Sequence, residues 1–266
     1  MTDIDKELQE ISAFLESVEL PPDMTGGVEL EAVRGAGATP AKPDFMTDGK
    51  QDVVVSNQLA GFSEDVPHGL RSAIANVMLL AELAADRKQG SQDITLDRWM
   101  GHYVGTLNKL GWRSSGFGDA SRALTGTSME VHKAIVPVLT AVLGGGAVSV
   151  ASTILSVLDG LQEMHKNQPW FTLFDRRTQR ARANQFQISQ VSMQGGEPSI
   201  TLFAFMLDAG SAVTQVLFFR FSSDKATLNH AHQSVSINPV LLKEFEARVT
   251  AKLSTHLDGA LADIDI

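Results

Sequence analysis

Apolar residues follow one period before Lys166 and another after it. Before Lys166 they recur every three or four positions, which predicts helices at residues 4–20, 67–87 and 94–110. After Lys166, short runs that alternate or are apolar throughout predict β-strands. Helices followed by strands are typical of the α+β class, in which helices pack on a mostly antiparallel sheet.

The predicted strands differ in how much of their surface is apolar. They lie at residues 53–59, 167–175, 186–193, 199–207, 214–221 and 227–237. The runs 199–207 and 214–221 are apolar on both faces, as central strands covered on both sides are. Apolar positions change face after Ile188, which predicts a bulge in 186–193. We therefore predict a three-layer α/β/α fold in which helical hairpins wrap an antiparallel sheet.

Glycine and proline residues mark the predicted boundaries between segments of the chain. Residues 21–52 are rich in Gly and Pro, and the segment RSSGFGD at 113–119 has the composition of a loop. Asn238-Pro239 predicts the start of a closing helix. The predicted organisation is an acidic N-terminal helix with a flexible linker (1–52), a single domain (53–257) and an acidic tail (258–266). The first helix has a narrow apolar stripe, so it is expected to dock on the body, on another copy or on a partner.

The longest uncharged segment covers 25 residues, 134–158. About 20 apolar residues suffice to cross a bilayer as one helix. Three consecutive glycines at 144–146 and Pro137 interrupt it, because each glycine costs roughly 1 kcal/mol in a helix interior. We predict two short helices, 128–143 and 148–166, that cover the sheet in the soluble protein. A more specific hypothesis is that this hairpin is a lid that leaves the sheet and contacts a membrane.

Charge is concentrated in the N-terminal arm. Residues 1–50 hold 11 acidic and 4 basic side chains, whereas residues 51–257 hold 17 acidic and 18 basic ones. A body without a basic excess argues against nucleic acid as a partner. The single basic cluster, at residues 176–182, follows Trp170 and Phe171. This cluster is either a solvated surface, which the acidic arm would cover, or a site for anionic lipid headgroups.

The sequence lacks the residues that several kinds of functional site require. The chain has no cysteine, and its first residues contain no secretory signal peptide. It has neither a phosphate-binding glycine loop nor a nucleophile elbow, so we expect no enzyme, no catalytic residue and no cofactor. His230 and His232 share one face of a predicted strand, but no third ligand stands out, and no metal site is expected.

Specific strings resemble the cytolytic Cyt δ-endotoxins. They are the helix GLRSAIANVMLLAEL, the uncharged hairpin, the PWF segment leading to Asn184-Gln185, the strand QVLFF at 215–219 and the segment 236–242. The resemblance covers about residues 53–245; the acidic N-terminal helix, the linker and the RRTQRAR run depart from the family pattern. It implies a single α/β domain, lipid binding without catalysis, and membrane permeabilisation after terminal trimming. Related folds also occur in bacterial virulence factors that are not plainly lytic.

The expected function is therefore that of a membrane-active, pore-forming or membrane-perturbing toxin or virulence protein. The alternative is a non-lytic lipid- or partner-binding virulence protein on the same fold. The expected partner is a lipid membrane, with assembly of several copies on it. The protein would be made in the cytoplasm and released or exported to reach target membranes. Lipid-contacting candidates are Ile135, Val138, Leu139, Val142, Leu143, Ile154, Leu155, Leu158, Val216, Leu217, Phe218 and Phe219, and headgroup candidates are Trp170, Arg176, Arg177, Arg180 and Arg182.

Overall fold

Helices and strands alternate along the chain more than the hydrophobic periods predict. The computed structural model describes residues 3–22, 43–89, 95–123, 129–143, 158, 169–180, 184–209, 213, 216–218, 220–221, 226–257 and 260–264. The helices in these ranges are α1 (Asp3–Ser17), α2 (His68–Gln89), α3 (Leu96–Lys109), α4 (Val131–Leu143), α5 (Pro169–Arg180), α6 (Pro239–Lys252) and a 3₁₀ helix (Val216–Phe218). The strands are β1 (Gln51–Val55), β2 (Gln58–Phe62), β3 (Arg113–Ala123), β4 (Met129–Glu130), β5 (Gln185–Gln194), β6 (Glu197–Ala209), β7 (Arg220–Phe221), β8 (Ala226–Ser236) and β9 (Leu261–Asp263).

Seven strands form one sheet in the order β3-β8-β6-β5-β2-β1-β9. Every neighbouring pair is antiparallel except β2 and β5, which are parallel. A parallel pair needs a long crossover, and α2 to α5 lie between these two strands. β4 and β7 pair in a separate two-stranded ribbon. The prediction of an antiparallel sheet is thus correct for all neighbours in the main sheet but one.

The sheet separates two apolar cores. On β6, Ile200, Leu202 and Ala204 belong to the core under α1, α2, α3 and α6, which we call the four-helix layer. The alternate residues Phe203 and Phe205 belong to the core under α4, α5 and the 3₁₀ helix, which we call the aromatic layer. Successive strand residues point to opposite faces, so a strand covered on both sides is apolar throughout. The predicted α+β class and three-layer arrangement are confirmed.

The predicted bulge in β5 is wrong. β5 pairs with β6 without interruption from Gln185 to Gln194. Ile188 faces the aromatic layer and Val191 faces the four-helix layer, so the apolar positions change face because both faces are covered. The turn to β6 uses Gly195 and Gly196 at φ values of 59° and 85°, as a tight two-residue hairpin requires.

Four further boundaries differ from prediction. Residues 169–180, expected to begin as a strand, form α5, which Pro169 opens at a position where its missing N–H costs nothing. Residues 53–59 contain a turn, with Ser56 at φ 56°, and divide between β1 and β2. The expected loop at 113–119 is part of β3, whose ladder with β8 satisfies its backbone groups. Of the expected strand at 214–221, the described residues 216–218 form the 3₁₀ helix and residues 220–221 form β7.

The terminal segments contribute to the body. α1 packs on α6 and α3, and its residues Ile11 and Leu15 are buried in the core of the four-helix layer. Within the described residues α1 therefore lies away from α5, and the cover of the basic cluster by this helix is not seen. Residues 261–263 of the expected tail form β9, which pairs with β1.

The linker and the hairpin are described in part. At the end of the linker, the buried Arg71 guanidinium donates to the carbonyl oxygens of Thr47 at 3.1 Å and Gly49 at 2.8 Å. α4 matches the first predicted hairpin helix and contains Pro137. The glycine turn and the second hairpin helix lie outside the described residues, apart from Leu158, which is helical and buried.

Candidate functional site: the aromatic layer

All seven lipid-contacting candidates whose side chains the structure describes lie in one core. Ile135, Val138, Leu139, Leu158, Val216, Leu217 and Phe218 are all buried in the core of the aromatic layer. The side chains of Val142 and Leu143, and residues Ile154, Leu155 and Phe219, lie outside what the structure describes. Segments far apart in sequence thus share one apolar surface against the sheet.

Aromatic rings connect the helices of this layer to the strands. The ring centroids of Phe171 and Phe218 lie 5.0 Å apart, and those of Phe174 and Phe186 lie 6.1 Å apart. Phe186 stacks on Phe205 of the next strand at 5.2 Å. A chain of ring contacts therefore runs from α5 through β5 to β6. Such pairs add about 0.5–1.5 kcal/mol each beyond the burial of their area.

The 3₁₀ helix is the largest correction to the predicted site. Residues Val216, Leu217 and Phe218 are buried in a 3₁₀ turn, and among the described residues of the expected strand Arg220 and Phe221 pair with a neighbouring strand. A short apolar run is compatible with a strand or with a buried helical turn, and periodicity cannot decide between them. These three residues form a hydrophobic plug between α4 and α5 rather than a central strand.

Two side chains fix this plug. A carboxylate oxygen of Asp175 on α5 accepts a hydrogen bond from the backbone N–H of Val216 at 3.1 Å. The Nδ1–H of the buried His132 on α4 donates to the carbonyl oxygen of Leu217 at 2.9 Å. Both bonds satisfy backbone groups that the missing strand ladder would otherwise satisfy. Neither side chain was a sequence candidate, because each gains its role from a segment distant in sequence.

Two of the headgroup candidates, Trp170 and Arg177, have side chains that the structure describes. Trp170 is 2% exposed and belongs to the core of the aromatic layer, so its ring is not at the surface. Arg177 is half-buried, and its charge favours the ionised form of Glu82 on α2. The side chains of Arg176 and Arg180, and all of Arg182, are outside the described residues.

A buried polar cluster lies on the other face of the sheet. Glu82 of α2 is 2% exposed, and it accepts hydrogen bonds from the Ser56 hydroxyl and the Asn57 N–H at the β1–β2 turn. Burial, reinforced by the charge of Asp86, raises the pKa of Glu82 well above its usual value, against the opposing effect of Arg177. The one sequence signal was a single acid inside the apolar run LLAELAA.

The same cluster includes buried amides and a phenol. The Tyr103 hydroxyl lies 3.5 Å from Oε1 of Gln58, and Nε2 of Gln58 donates to the hydroxyl of Ser189. Burial raises the pKa of Tyr103, and the charge of Glu82 raises it further. These interactions connect α2 and α3 to the sheet through hydrogen bonds as well as apolar contacts.

Asp52 is an acidic residue on the aromatic face of the sheet. It shares a face of β1 with Val54, which is buried in the core of the aromatic layer. Burial raises the pKa of Asp52 to about 7, against the lowering effect of Lys50. The charge of Asp52 therefore changes near neutral pH, beside the sheet surface that α5 covers.

The two strand histidines pack as aromatic rings. His232 stacks on Phe203 with 6.0 Å between ring centroids, and His230 lies 6.2 Å from Phe205. Burial lowers the pKa of His232, which favours the neutral ring. Over the ranges that the structure describes, no three His, Asp or Glu side chains are grouped so that they could hold a metal ion.

No helix in the described parts of the chain combines the length and the hydropathy needed to cross a bilayer.

Searches with the sequence find no matching family model and no similar curated protein. Among solved structures, the chain is similar to a delta-endotoxin, with 12% identity, a TM-score of 0.38, and coverage of 77% of this chain and 93% of that one. It is also similar to the Evf virulence factor, with 10% identity, a TM-score of 0.27, and coverage of 88% and 90%.

The names of these two structures are those of a toxin and a virulence factor. Their low TM-scores amount to a weak likeness of fold and decide nothing about this chain. The fold class rests instead on the sheet and the two helical layers themselves.

Proposed function

We propose that this protein is a membrane-active toxin or virulence protein that binds lipid through the apolar surface between the sheet and the aromatic layer. The action would need no catalytic step. The observation that carries the proposal is the composition of that surface. It joins the uncharged α4 segment, the 3₁₀ plug and the ring chain from Phe171 to Phe205 into one apolar contact.

The free energy needed to move α4 and α5 off the sheet differs between water and lipid. Each large apolar side chain exposed to water costs about 1.5–3 kcal/mol, so moving α4 and α5 off the sheet in water costs well over 10 kcal/mol. In contact with acyl chains that cost largely disappears, since the exposed surface stays in an apolar phase. A closed protein in water and an open one on lipid follow from the same surface.

A cross-link tests this proposal directly, because the chain has no cysteine of its own. Phe174→Cys and Phe186→Cys, at rings 6.1 Å apart, place one thiol on α5 and one on β5. A short bifunctional thiol reagent then holds the layer closed. We expect dye release from anionic vesicles by the uncross-linked double variant, before or after limited proteolysis, and a large loss of release once the bridge forms.

The control is the same double variant treated with a monofunctional thiol reagent, which adds bulk without a bridge. Equal leakage from the bridged and the monofunctionally treated protein would refute the lid mechanism. Retention of lipid on the protein without leakage, in either form, would favour the non-lytic lipid-binding alternative.

A further inference from the structure

α1 lies in a groove whose apolar floor matches its stripe. Ile11, Leu15 and Val18 are buried at spacings of four and three residues, the spacing of one helix face. The floor is formed mainly by α6 and by the end of α3. At Gly111 an added Cβ would lie 2.6 Å from Cδ2 of Leu241, so glycine is needed for the close approach of α6, and Cδ1 of Ile11 on α1 lies at an ordinary contact distance of 3.6 Å from the same point.

Cationic groups border this groove. Arg87 Nη2 lies 3.1 Å from Oε2 of Glu19, and Arg248 donates to the hydroxyl of Ser12. Lys109 Nζ lies 5.3 Å from the centroid of the Phe14 ring, a cation–π contact. The three cations come from α2, α3 and α6. The groove thus presents an apolar floor with a positive rim drawn from three separate elements.

The helix that fills the groove is strongly acidic. Residues 3–20 contain six acidic side chains and one lysine. The ion pair of Glu19 with Arg87 is solvent-exposed, and exposed pairs hold a helix weakly. A helix of 15 residues is also marginal without its packing partner. The rim charges therefore contribute little, and α1 is held by its buried apolar residues and by its covalent link to the same chain, which gives it a high effective concentration.

We propose that this groove is a recognition site for an acidic amphipathic helix of a partner protein, and that α1 is its built-in competitor. The partner helix carries large apolar residues at spacings of four and three, with an acid on the Arg87 side. Its binding displaces α1. This is the helix-in-groove mode of recognition, in which apolar anchors give affinity and rim charges give orientation.

The test uses the full chain with its own helix weakened and a labelled peptide of residues 1–20 as the probe. In the double variant I11S/L15S the tethered helix loses two anchors, so the groove is open to the peptide. Fluorescence anisotropy should show that the peptide binds this variant at least about tenfold more tightly than it binds the wild-type chain. The exposed substitution A13S is the matched control, and it should leave binding as weak as in the wild type.

A charge exchange checks the orientation. Adding R87E to the double variant should weaken binding of the natural peptide by up to about fivefold, and a peptide carrying E19R should recover that loss. A merely structural role of Arg87 would give no recovery. If the double variant proves unfolded by circular dichroism, the wild-type chain titrated with excess peptide replaces it, and faster hydrogen exchange of the α1 amides is then the expected signal.

Three results would overturn the proposal. The first is that the peptide does not bind a folded double variant and that hydrogen exchange of the α1 amides is also unchanged. The second is that neither R87E in the protein nor E19R in the peptide alters the binding affinity. The third is that vesicles containing phosphatidylserine displace the peptide. The last result would make an anionic lipid surface the occupant of the groove.

Discussion

The two faces of the sheet bury their apolar surface in different ways. On one face, α2 packs on α3 and α6, and the polar cluster around Glu82 joins these helices to the sheet. On the other face, α4 packs chiefly on the 3₁₀ plug, and α5 packs on the plug and on β1, β5 and β9. Under the proposed function, acyl chains would replace the apolar helix-to-sheet contacts of the aromatic layer. Acyl chains would not replace the hydrogen bonds of the Glu82 cluster, so on this proposal the aromatic layer should open more readily than the four-helix layer.

The largest expected effect comes from removing a ring on each side. Phe174→Ala takes a buried ring from α5, and such a change costs about 3–5 kcal/mol in a core. If the aromatic layer opens on its own, hydrogen exchange of the α5 amides should accelerate about a hundredfold or more, with little change in α2. Phe245→Ala on α6 is the matched control for the other layer. Equal acceleration on both faces would show that the two layers unfold as one unit.

The raised pKa values of Asp52 and Glu82 predict that the protein is less stable at high pH. The folded pKa of Asp52 is raised to about 7, so the folded chain binds this proton more tightly than the unfolded chain does. The stabilisation is full below about pH 4 and is lost as the pH rises through about 7. Asp52→Asn should therefore raise the free energy of unfolding by up to about 4 kcal/mol at pH 8.5 and change it little at pH 4.

Denaturant melts at the two pH values measure this difference, with Glu82→Gln as the counterpart on the four-helix face. The pKa of Glu82 is raised as well, so the sign of its effect is the same. A stability gain in Asp52→Asn that is identical at both pH values would contradict the assignment.

Two side chains that accept a backbone hydrogen bond allow a smaller, matched comparison. Asp175 accepts from Val216 at 3.1 Å in the aromatic layer, and Asn238 accepts from Val240 at 2.9 Å at the start of α6. Asn238→Ala should cost about 1 kcal/mol of global stability, as loss of a helix cap does. Asp175→Ala leaves a buried N–H unpaired and should cost about 1–3 kcal/mol, seen first as faster exchange in α5. If Asp175→Ala left α5 exchange unchanged, the plug would not be what holds that helix.

The smallest effect should come from a charge pair on the sheet itself. Arg113 of β3 pairs with Glu197 of β6 on the protein surface. Arg113→Ala should lower stability by at most about 1 kcal/mol, less in high salt, and should alter exchange in neither helical layer. Faster hydrogen exchange confined to one helical layer would show that this ion pair stabilises that layer through the sheet. The comparison of the two faces would then need revision.

Sequence periodicity predicted the four-helix layer better than the aromatic layer. The helices α2, α3 and α6 have regular apolar spacing, and Asn238-Pro239 and Gly111 mark two of their ends. The fully apolar strand β6 showed in advance that both faces are covered. The polar Glu82 cluster and the groove for α1 depend on contacts between distant segments, which periodicity does not report.

The aromatic layer was harder to predict from the sequence because the segments that form it are short. Trp170, Phe174 and Thr178 are spaced by four and are all buried, which is a helical signal, yet the aromatic composition favoured a strand. Residues 216–218 are too few to show any period. Eight of the lipid and headgroup candidates do lie together in this core, but the sequence assigned four of them to the wrong secondary structure, Trp170 and the three residues of the plug.

The parallel pairing of β2 with β5 also bears on how the chain folds. Partners in this pair, such as Gln58 and Gln187, are far apart in sequence, whereas β5 and β6 are joined by a two-residue turn. Closing a long loop is entropically costly, so we expect β5 and β6 to associate early and the β1–β2 hairpin to join them late. Both helical layers have residues on each side of this seam, and neither can be completed before it closes. The rate at which one strand pair forms would then set the pace for the whole molecule.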